Sequence, residues 1–200
     1  MAERATGIPR LGRTSCPETL SVNQNQNEPP GSPALPARLP YRDVKPQGAA
    51  GFYSGINATF RFFLRRFGEE GWQRYLSELG RDYFAPVNRQ WQAGGLEVVA
   101  RYWRAFFAAE PGADVAVQEL PDRVEVRVAQ CPAIKFLREG KREIVREYCR
   151  HCYYLGSARA EAAGLTMRLA GGNGACVHTY ARNEANLPPQ DVARIAEATS

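Results

Sequence analysis

Apolar side chains recur at helical spacing in the first half of the chain. Residues 56–67 and 69–84 each carry an apolar stripe, and Gly68 separates the two stretches. A third stripe runs from Leu96 to Phe107, just ahead of a Pro-Gly pair. Apolar residues three or four positions apart line one face of a helix, so the pattern predicts three amphipathic helices. The aromatic residues of this half, including all three tryptophans, are expected to build the core.

The second half of the chain alternates between apolar and polar positions in four short stretches. Residues 113–120 and 123–130 are joined at a Pro-Asp pair, which predicts a hairpin. Residues 165–170 and 175–181 flank a glycine-rich turn, which predicts a second hairpin. Residues 138–163, rich in Arg, Glu and Ala and free of proline, predict a helix. The expected fold is α+β: N-terminal helices packed with a small antiparallel sheet, and one long helix between its two hairpins.

Composition separates the start of the chain from the rest. The first 48 residues contain eight of the fourteen prolines and almost no periodic apolar pattern. We therefore expect residues 1–48 to be a disordered leader, residues 49–185 to form a single α+β domain, and residues 186–200 to be a C-terminal tail. The chain has no apolar run of about 18 residues and no secretory signal, so we expect a cytoplasmic protein that does not enter a membrane.

The formal net charge of +5 is spread thinly along the chain. Residues 1–48 contain six Lys or Arg against four Asp or Glu, and residues 49–200 contain 20 against 17. A dense basic stripe with interleaved aromatic residues is absent from the sequence, so we do not expect binding to nucleic acid. The expected partner is a small-molecule substrate or ligand. Association into a homo-oligomer stays open.

Four of the five cysteines and both histidines are grouped in the last third of the chain. Cys131 follows a predicted strand, and Cys149 and Cys152 lie one turn apart in the middle of the predicted long helix. Cys176 and His178 share one face of the last predicted strand. Strand, helix and hairpin could therefore converge on one thiol-rich pocket. Without a secretory signal, the thiols are expected to be reduced.

A metal ion, zinc or iron, is one hypothesis for this cluster. Its ligands would be Cys131, Cys149, Cys152 and Cys176, with His151 as a further candidate. Structural zinc sites usually show two close pairs of ligands, whereas this chain has one Cys-x-x-Cys pair, on a helix. An open coordination position would allow a bound water to attack a substrate, and four sulfurs would instead indicate a structural ion.

Nucleophilic catalysis is the second hypothesis, with Cys176 as nucleophile and His178 as base. Residues two apart on a strand project to the same face, so the imidazole could take the thiol proton. The glycine-rich backbone before them could offer free amides to an oxyanion. Arg150, Arg159 and Arg168 are candidates for holding a substrate carboxylate. Each residue taken singly could equally be a packing residue.

Short motifs carry a family resemblance. They are the run Cys131-Pro132-Ala133-Ile134, the helix with Cys149 and Cys152, the run Gly171-Gly172-Asn173-Gly174-Ala175-Cys176, and the stretch FLRRFGEEGW that ends at Trp72. Over roughly residues 55–182 the chain resembles the L-2-amino-thiazoline-4-carboxylic acid hydrolase-like family. The resemblance implies a cytoplasmic hydrolase that opens a thiazoline ring at its C=N bond to give an N-carbamoyl cysteine.

A weaker resemblance connects the chain to the 4-vinyl reductase-like small-molecule-binding domains. It lies in the order of the elements: a strand cysteine, a helix, a glycine-containing turn and a final cysteine strand. This resemblance implies a domain that binds or senses a hydrophobic ligand or a metal without turnover. A hydrolase and a sensor are therefore both open at this point.

Overall fold

The computed structural model of the protein describes residues 48–182 and 187–200, with residues 48–50 described by their backbone only. These residues belong to one compact unit. The leader prediction falls on residues 1–48 and so lies outside the described residues, apart from the backbone of Gly48. Among the described residues, every helix is too short or too polar to cross a membrane.

Two long helices form the N-terminal half, where the apolar stripes predicted three, because the first two stripes share one kinked helix and the third lies in a longer helix that begins at Ala85. Helix α1 spans Gly48–Glu78, a π-helical turn spans Leu79–Tyr83, and helix α2 spans Ala85–Ala108. The break predicted at Gly68 is confirmed as a kink, because its φ of 69° and ψ of −177° are not helical. Glycine adopts this backbone conformation without steric cost, whereas other residues do not.

Four antiparallel strands form one sheet. They are β1 (Asp114–Glu119), β2 (Arg123–Gln130), β3 (Thr166–Gly172) and β4 (Ala175–Ala181), in the order β1-β2-β4-β3. The two predicted hairpins are therefore confirmed, and β2 pairs with β4 to join them at the centre of the sheet. The predicted α+β class is confirmed as well.

The two faces of the sheet differ in polarity because side chains alternate along each strand. On β2, Val124, Val126 and Val128 are buried beneath helix α2, and helix α4 packs on the same sheet at β3. On the opposite face, Glu125 pairs with both Arg123 and Arg127, the first pair at 3.0 Å. One face of the sheet is therefore apolar and covered, and the other carries ion pairs.

The segment between the hairpins corrects the prediction of one long helix over residues 138–163. The structure has two helices here, α3 (Pro132–Glu139) and α4 (Arg150–Ala162), with a 3-10 turn at Arg146–Cys149. Pro132 suits the first turn of α3, where an amide proton has no helical partner. In the segment between α3 and α4, the side-chain amide of Asn57 donates to the carbonyl of Glu143 at 2.9 Å and accepts from the amide of Val145 at 3.0 Å. Those backbone groups are consequently not available to a helix.

The core consists of two apolar clusters. One lies between α2, α4 and the sheet and is built around Trp91, Val126 and Tyr180. The other lies between α1, α3 and α4 and is built around Trp72 and Leu137. Two of the cysteines, at positions 131 and 149, pack against both clusters. The thiol-rich segment therefore lies where the two cores meet.

Residues 187–200, the described part of the predicted tail, pack against the domain. Ile195 and Ala198 are only 2% and 3% exposed. The amide of Ala196 donates to the carbonyl of Gly171 at 2.9 Å, and Ala196 pairs with Gly172. A Cβ at Gly172 would clash with the carbonyl oxygen of Ala196, so only glycine allows this approach. The C-terminal segment is thus part of the folded unit.

Substitution of Gly68 tests the kink in α1. We expect Gly68→Ala to lower the free energy of unfolding by about 1–3 kcal/mol, because alanine is strained at this φ and ψ. Gly55→Ala is the matched control, since Gly55 lies in the same helix with open space at its Cβ position. The control should be neutral or more stable by up to about 1 kcal/mol. Urea unfolding measures both, and equal effects would contradict the assignment.

Candidate functional site

Strand β4 brings Cys176 and His178 together. The two residues lie on the covered face of the sheet, where Cys176 is opposite Val128 of β2 and His178 is opposite Val126. Their side chains are in contact, with 3.4 Å between the Cys176 sulfur and Nε2 of His178. The predicted proximity of this pair is present in the structure.

Burial keeps both members of this pair uncharged. His178 is 5% exposed, its ring lies edge-on to Trp103 at 6.0 Å, and its Nδ1 is buried with no hydrogen-bond partner among the described residues. Burial lowers the pKa of His178 to about 4, and the nearby His151 adds to this shift. Burial raises the pKa of Cys176 to about 12, with smaller contributions from Cys131 and Cys149. At neutral pH the pair is therefore a thiol beside a neutral imidazole.

Cys131 lies at the N-terminus of α3. Its amide donates to the carbonyl of Gly174 at 2.8 Å, which ties the end of β2 to the turn between β3 and β4. Burial raises the pKa of the Cys131 thiol, while the backbone amides of Ile134 and Ala133 at the start of α3 oppose that shift. Helix N-termini stabilise thiolates in this way.

Cys149 lies at the N-terminus of α4 and not in the middle of a helix, which corrects the sequence prediction. Burial raises the pKa of its thiol, and the backbone amides of Gly174 and Asn173 oppose that shift. These two amides belong to the glycine-rich turn that we expected to offer donors to an oxyanion. That role of the turn stays a prediction.

Cys152 and His151 complete the cluster one turn into α4. Burial raises the pKa of Cys152 well above its ordinary value, and Cys176, Cys131 and Cys149 each raise it further. Nε2 of His151 lies 3.5 Å from the Cys152 sulfur, and Nδ1 contacts the carbonyl oxygen of Tyr148. Burial lowers the pKa of His151 to about 4 against the effect of that carbonyl.

The structure thus brings the four cysteines and both histidines into one region, with no disulfide among these cysteines. The pKa values of three of the thiols, those of Cys131, Cys152 and Cys176, are each raised by at least one other thiol of the group. Within residues 48–182 and 187–200, however, no three Cys, His, Asp or Glu side chains are arranged so that they could hold one metal ion. The metal hypothesis stays a prediction that this arrangement does not support.

The three candidate arginines have different surroundings. Arg150 pairs with Glu69 at 2.7 Å, and Arg168 donates to the carbonyls of Pro188 and Met167. Arg159 is 1% exposed and has no acidic partner among the described residues. It follows Cys152 by seven residues on α4, a spacing of two helical turns that could have singled it out from the sequence.

The sequence analysis missed a basic groove of about 850 Å³ between α1 and the segment after α3. Its charged lining is Arg61, Arg65, Arg66, Lys141, Arg142 and the acidic Glu143, which pairs with Arg61 at 3.0 Å. None of the four cysteines of the cluster lines this groove. Three of the basic residues lie on α1 and two lie in the distant segment after α3, so only the fold brings the two groups together.

Comparison with protein-family models, with curated proteins and with solved structures finds no match to this chain. The two family resemblances consequently rest on the short motifs alone. What they imply about activity remains a hypothesis.

The buried histidines should make the protein less stable in mild acid. Their pKa values of about 4 lie below the ordinary 6.5, so the unfolded chain binds more protons between these values. Stability is fully present above pH 6.5 and is lost as the pH falls towards 4. For His178 the loss is on the order of 3 kcal/mol.

Urea unfolding of the wild type and of His178→Gln between pH 7 and pH 5 measures this effect. The variant should lose less stability per pH unit than the wild type, because only His151 then contributes to the loss in this range. An unchanged pH dependence in the variant would show that His178 is not buried in its neutral form.

Proposed function

We propose that the protein is a cytoplasmic hydrolase that cleaves a C=N or amide-like bond of a small molecule, with Cys176 as nucleophile and His178 as base. The contact of 3.4 Å between the Cys176 sulfur and Nε2 of His178 is the observation that carries this proposal. The motif resemblance to thiazoline-ring hydrolases supports the same reaction class.

The proposed reaction proceeds through a covalent intermediate. For an amide-like bond, the Cys176 sulfur forms a bond to the electrophilic carbon while its proton moves to Nε2 of His178. The imidazolium then gives this proton to the leaving nitrogen, and the C–N bond breaks to leave a thioester. A water that loses its proton to His178 attacks the thioester and releases the acid product and the free thiol.

The protonation state of the resting pair determines how this reaction begins. A thiol pKa of about 12 and an imidazole pKa of about 4 exclude a stable thiolate–imidazolium pair at neutral pH. The proton must therefore leave sulfur as the bond to carbon forms. His178 Nε2 has a free electron pair for this step when the ring proton is on Nδ1.

Slow alkylation of Cys176 is the first consequence. With a pKa of about 12, its thiolate population at pH 8.5 is about a thousandfold below that of an unperturbed thiol. Iodoacetamide should accordingly label Cys176 at least a hundredfold more slowly than it labels free cysteine, as measured by mass spectrometry of the peptide that contains Cys176. Labelling as fast as that of free cysteine would show that the folded protein holds Cys176 as a thiolate.

Activity measurements test the roles of the pair. L-2-Amino-thiazoline-4-carboxylate is the first substrate to try, with product followed by chromatography. Cys176→Ser and His178→Gln should each lower kcat by at least a hundredfold. Val177→Thr is the matched control, because Val177 lies on the same strand and its side chain points to the opposite face, so its activity should be unchanged. Full activity in Cys176→Ser would overturn the proposal.

A metal- or ligand-binding sensor without turnover is the second candidate. The observation that favours it is that two backbone amides lower the pKa of each of two thiols, those of Cys131 and Cys149, against the effect of burial. Amide hydrogen bonds to sulfur are typical of thiolates that ligate a metal. A bound ion would hold the cysteines as thiolates against the effect of burial.

Elemental analysis of protein purified without oxygen or chelator separates the two candidates. If the sensor proposal holds, we expect about one zinc or iron per chain, lost in both Cys149→Ser and Cys176→Ser. A protein free of metal, with intact turnover, would leave the hydrolase as the function.

A further inference from the structure

Arg159 lies inside a cage of four aromatic rings. Its guanidinium carbon is 4.2 Å from the ring centre of Trp91, 4.4 Å from Phe84, 4.8 Å from Tyr102 and 5.7 Å from Trp103. Aromatic faces attract a cation, and the effect is strongest where water is excluded. The rings stabilise the positive charge of the guanidinium, but they do not accept hydrogen bonds from its N–H groups.

The hydrogen bonds of this guanidinium are incomplete. Nε and Nη2 of Arg159 are buried and have no hydrogen-bond partner among the described residues. Burial of unpaired charged donors costs several kcal/mol, so proteins normally provide an acceptor. Nε and Nη2 lie on the same edge of the guanidinium, as two parallel donors that fit the two oxygens of a carboxylate.

One more buried donor belongs to the same cage. It is Nε1 of Trp91, which has no hydrogen-bond partner among the described residues. Asn88 Oδ1 is buried and unpaired too, yet it does not bind the guanidinium. The described residues therefore leave the donor edge of Arg159 without an acceptor.

Phe84 is the wall of the cage through which a ligand could enter. It is partly exposed, whereas Trp91, Tyr102 and Trp103 are buried. The π-helical turn Leu79–Tyr83 sets its position, because the amide of Phe84 donates to the carbonyl of Leu79 at 3.4 Å. Such turns often occur at functional sites because they re-aim a side chain.

We propose that Arg159 binds the carboxylate of a small organic acid, whose apolar body lies against the rings of Phe84, Trp91 and Trp103. A carboxylate matches the flat donor edge and the single positive charge, and the aromatic walls favour a weakly hydrated anion. Trp103 also contacts His178. The bound acid is then the substrate of the Cys176 and His178 pair, and this identity rests on the proposed function.

Binding measurements with three carboxylates test the inference: acetate, benzoate and L-2-amino-thiazoline-4-carboxylate. Calorimetry and thermal unfolding are run on Cys176→Ser, which the proposed mechanism leaves unable to turn over substrate. We expect at least one carboxylate to bind and to raise the unfolding midpoint, while benzamide, the neutral analogue of benzoate, does not. Absence of binding by all three acids at 10 mM would overturn the inference.

Two substitutions in the same background separate a binding role from a structural one. Arg159→Met should fold with unchanged or higher stability and lose at least tenfold in carboxylate affinity, because it removes an unpaired buried charge along with the donor edge. Arg159→Lys keeps the charge without the paired donors and should bind with intermediate affinity. Unchanged carboxylate affinity in either variant would overturn the inference. Tighter binding of an inorganic anion such as phosphate than of every carboxylate would overturn it as well.

The outcomes distinguish this inference from the proposed function. Carboxylate binding that depends on Arg159, without turnover in the wild type, would contradict the hydrolase proposal and support the carboxylate site. Turnover that is unaffected by Arg159→Met would contradict the carboxylate site and support the hydrolase proposal. If Arg159→Met does not fold, the wild-type response to carboxylates and the Arg159→Lys affinity still decide.

Discussion

The hydrogen bonds of the turn between β3 and β4 are the constraint on which the rest of the candidate site depends. The carbonyl of Gly174 accepts from the amide of Cys131, and the amides of Asn173 and Gly174 lower the pKa of the Cys149 thiol. On the β3 side, Gly171 and Gly172 hold the C-terminal segment at Ala196. One short turn thus joins the start of α3, the start of α4, the central strand and the chain end. A side chain at Gly172 would push this assembly apart.

Burial gives the site its chemical character. The sulfurs and imidazoles lie between two apolar clusters, so the uncharged form of each group is favoured. Among the described residues, backbone amides act against this effect at Cys131 and Cys149 but not at Cys176. The two cysteines at helix starts are therefore better suited to hold negative charge, while the Cys176 and His178 pair is suited to proton transfer during a reaction. This division underlies the choice between a metal-binding sensor and a hydrolase.

Sequence patterns predicted much of this fold because side-chain periodicity and glycine conformation are set by neighbouring residues of the chain. Alternation placed Cys176 and His178 on one face of β4, and the glycine at position 68 marked the kink of α1. The same patterns failed over residues 138–163, where good helix formers did not make one helix. The reason is a contact distant in the sequence: Asn57 of α1 takes the backbone groups of Glu143 and Val145. Helical propensity is a weak preference that such a contact overrides.

By itself the sequence determined the α+β class, the two hairpins and the grouping of thiols and imidazoles, since periodicity and chain order are properties of the chain. The tertiary structure alone decided the protonation states, because these depend on burial by residues from every part of the fold. It also decided which arginine is left without an acceptor. What leaves Arg159 without an acceptor is its surroundings, which are three aromatic rings of α2 and that of Phe84, the residue between the π-helical turn and α2. Packing makes the Arg159 guanidinium a candidate binding site because it excludes water from the charged group and places no acidic side chain beside it.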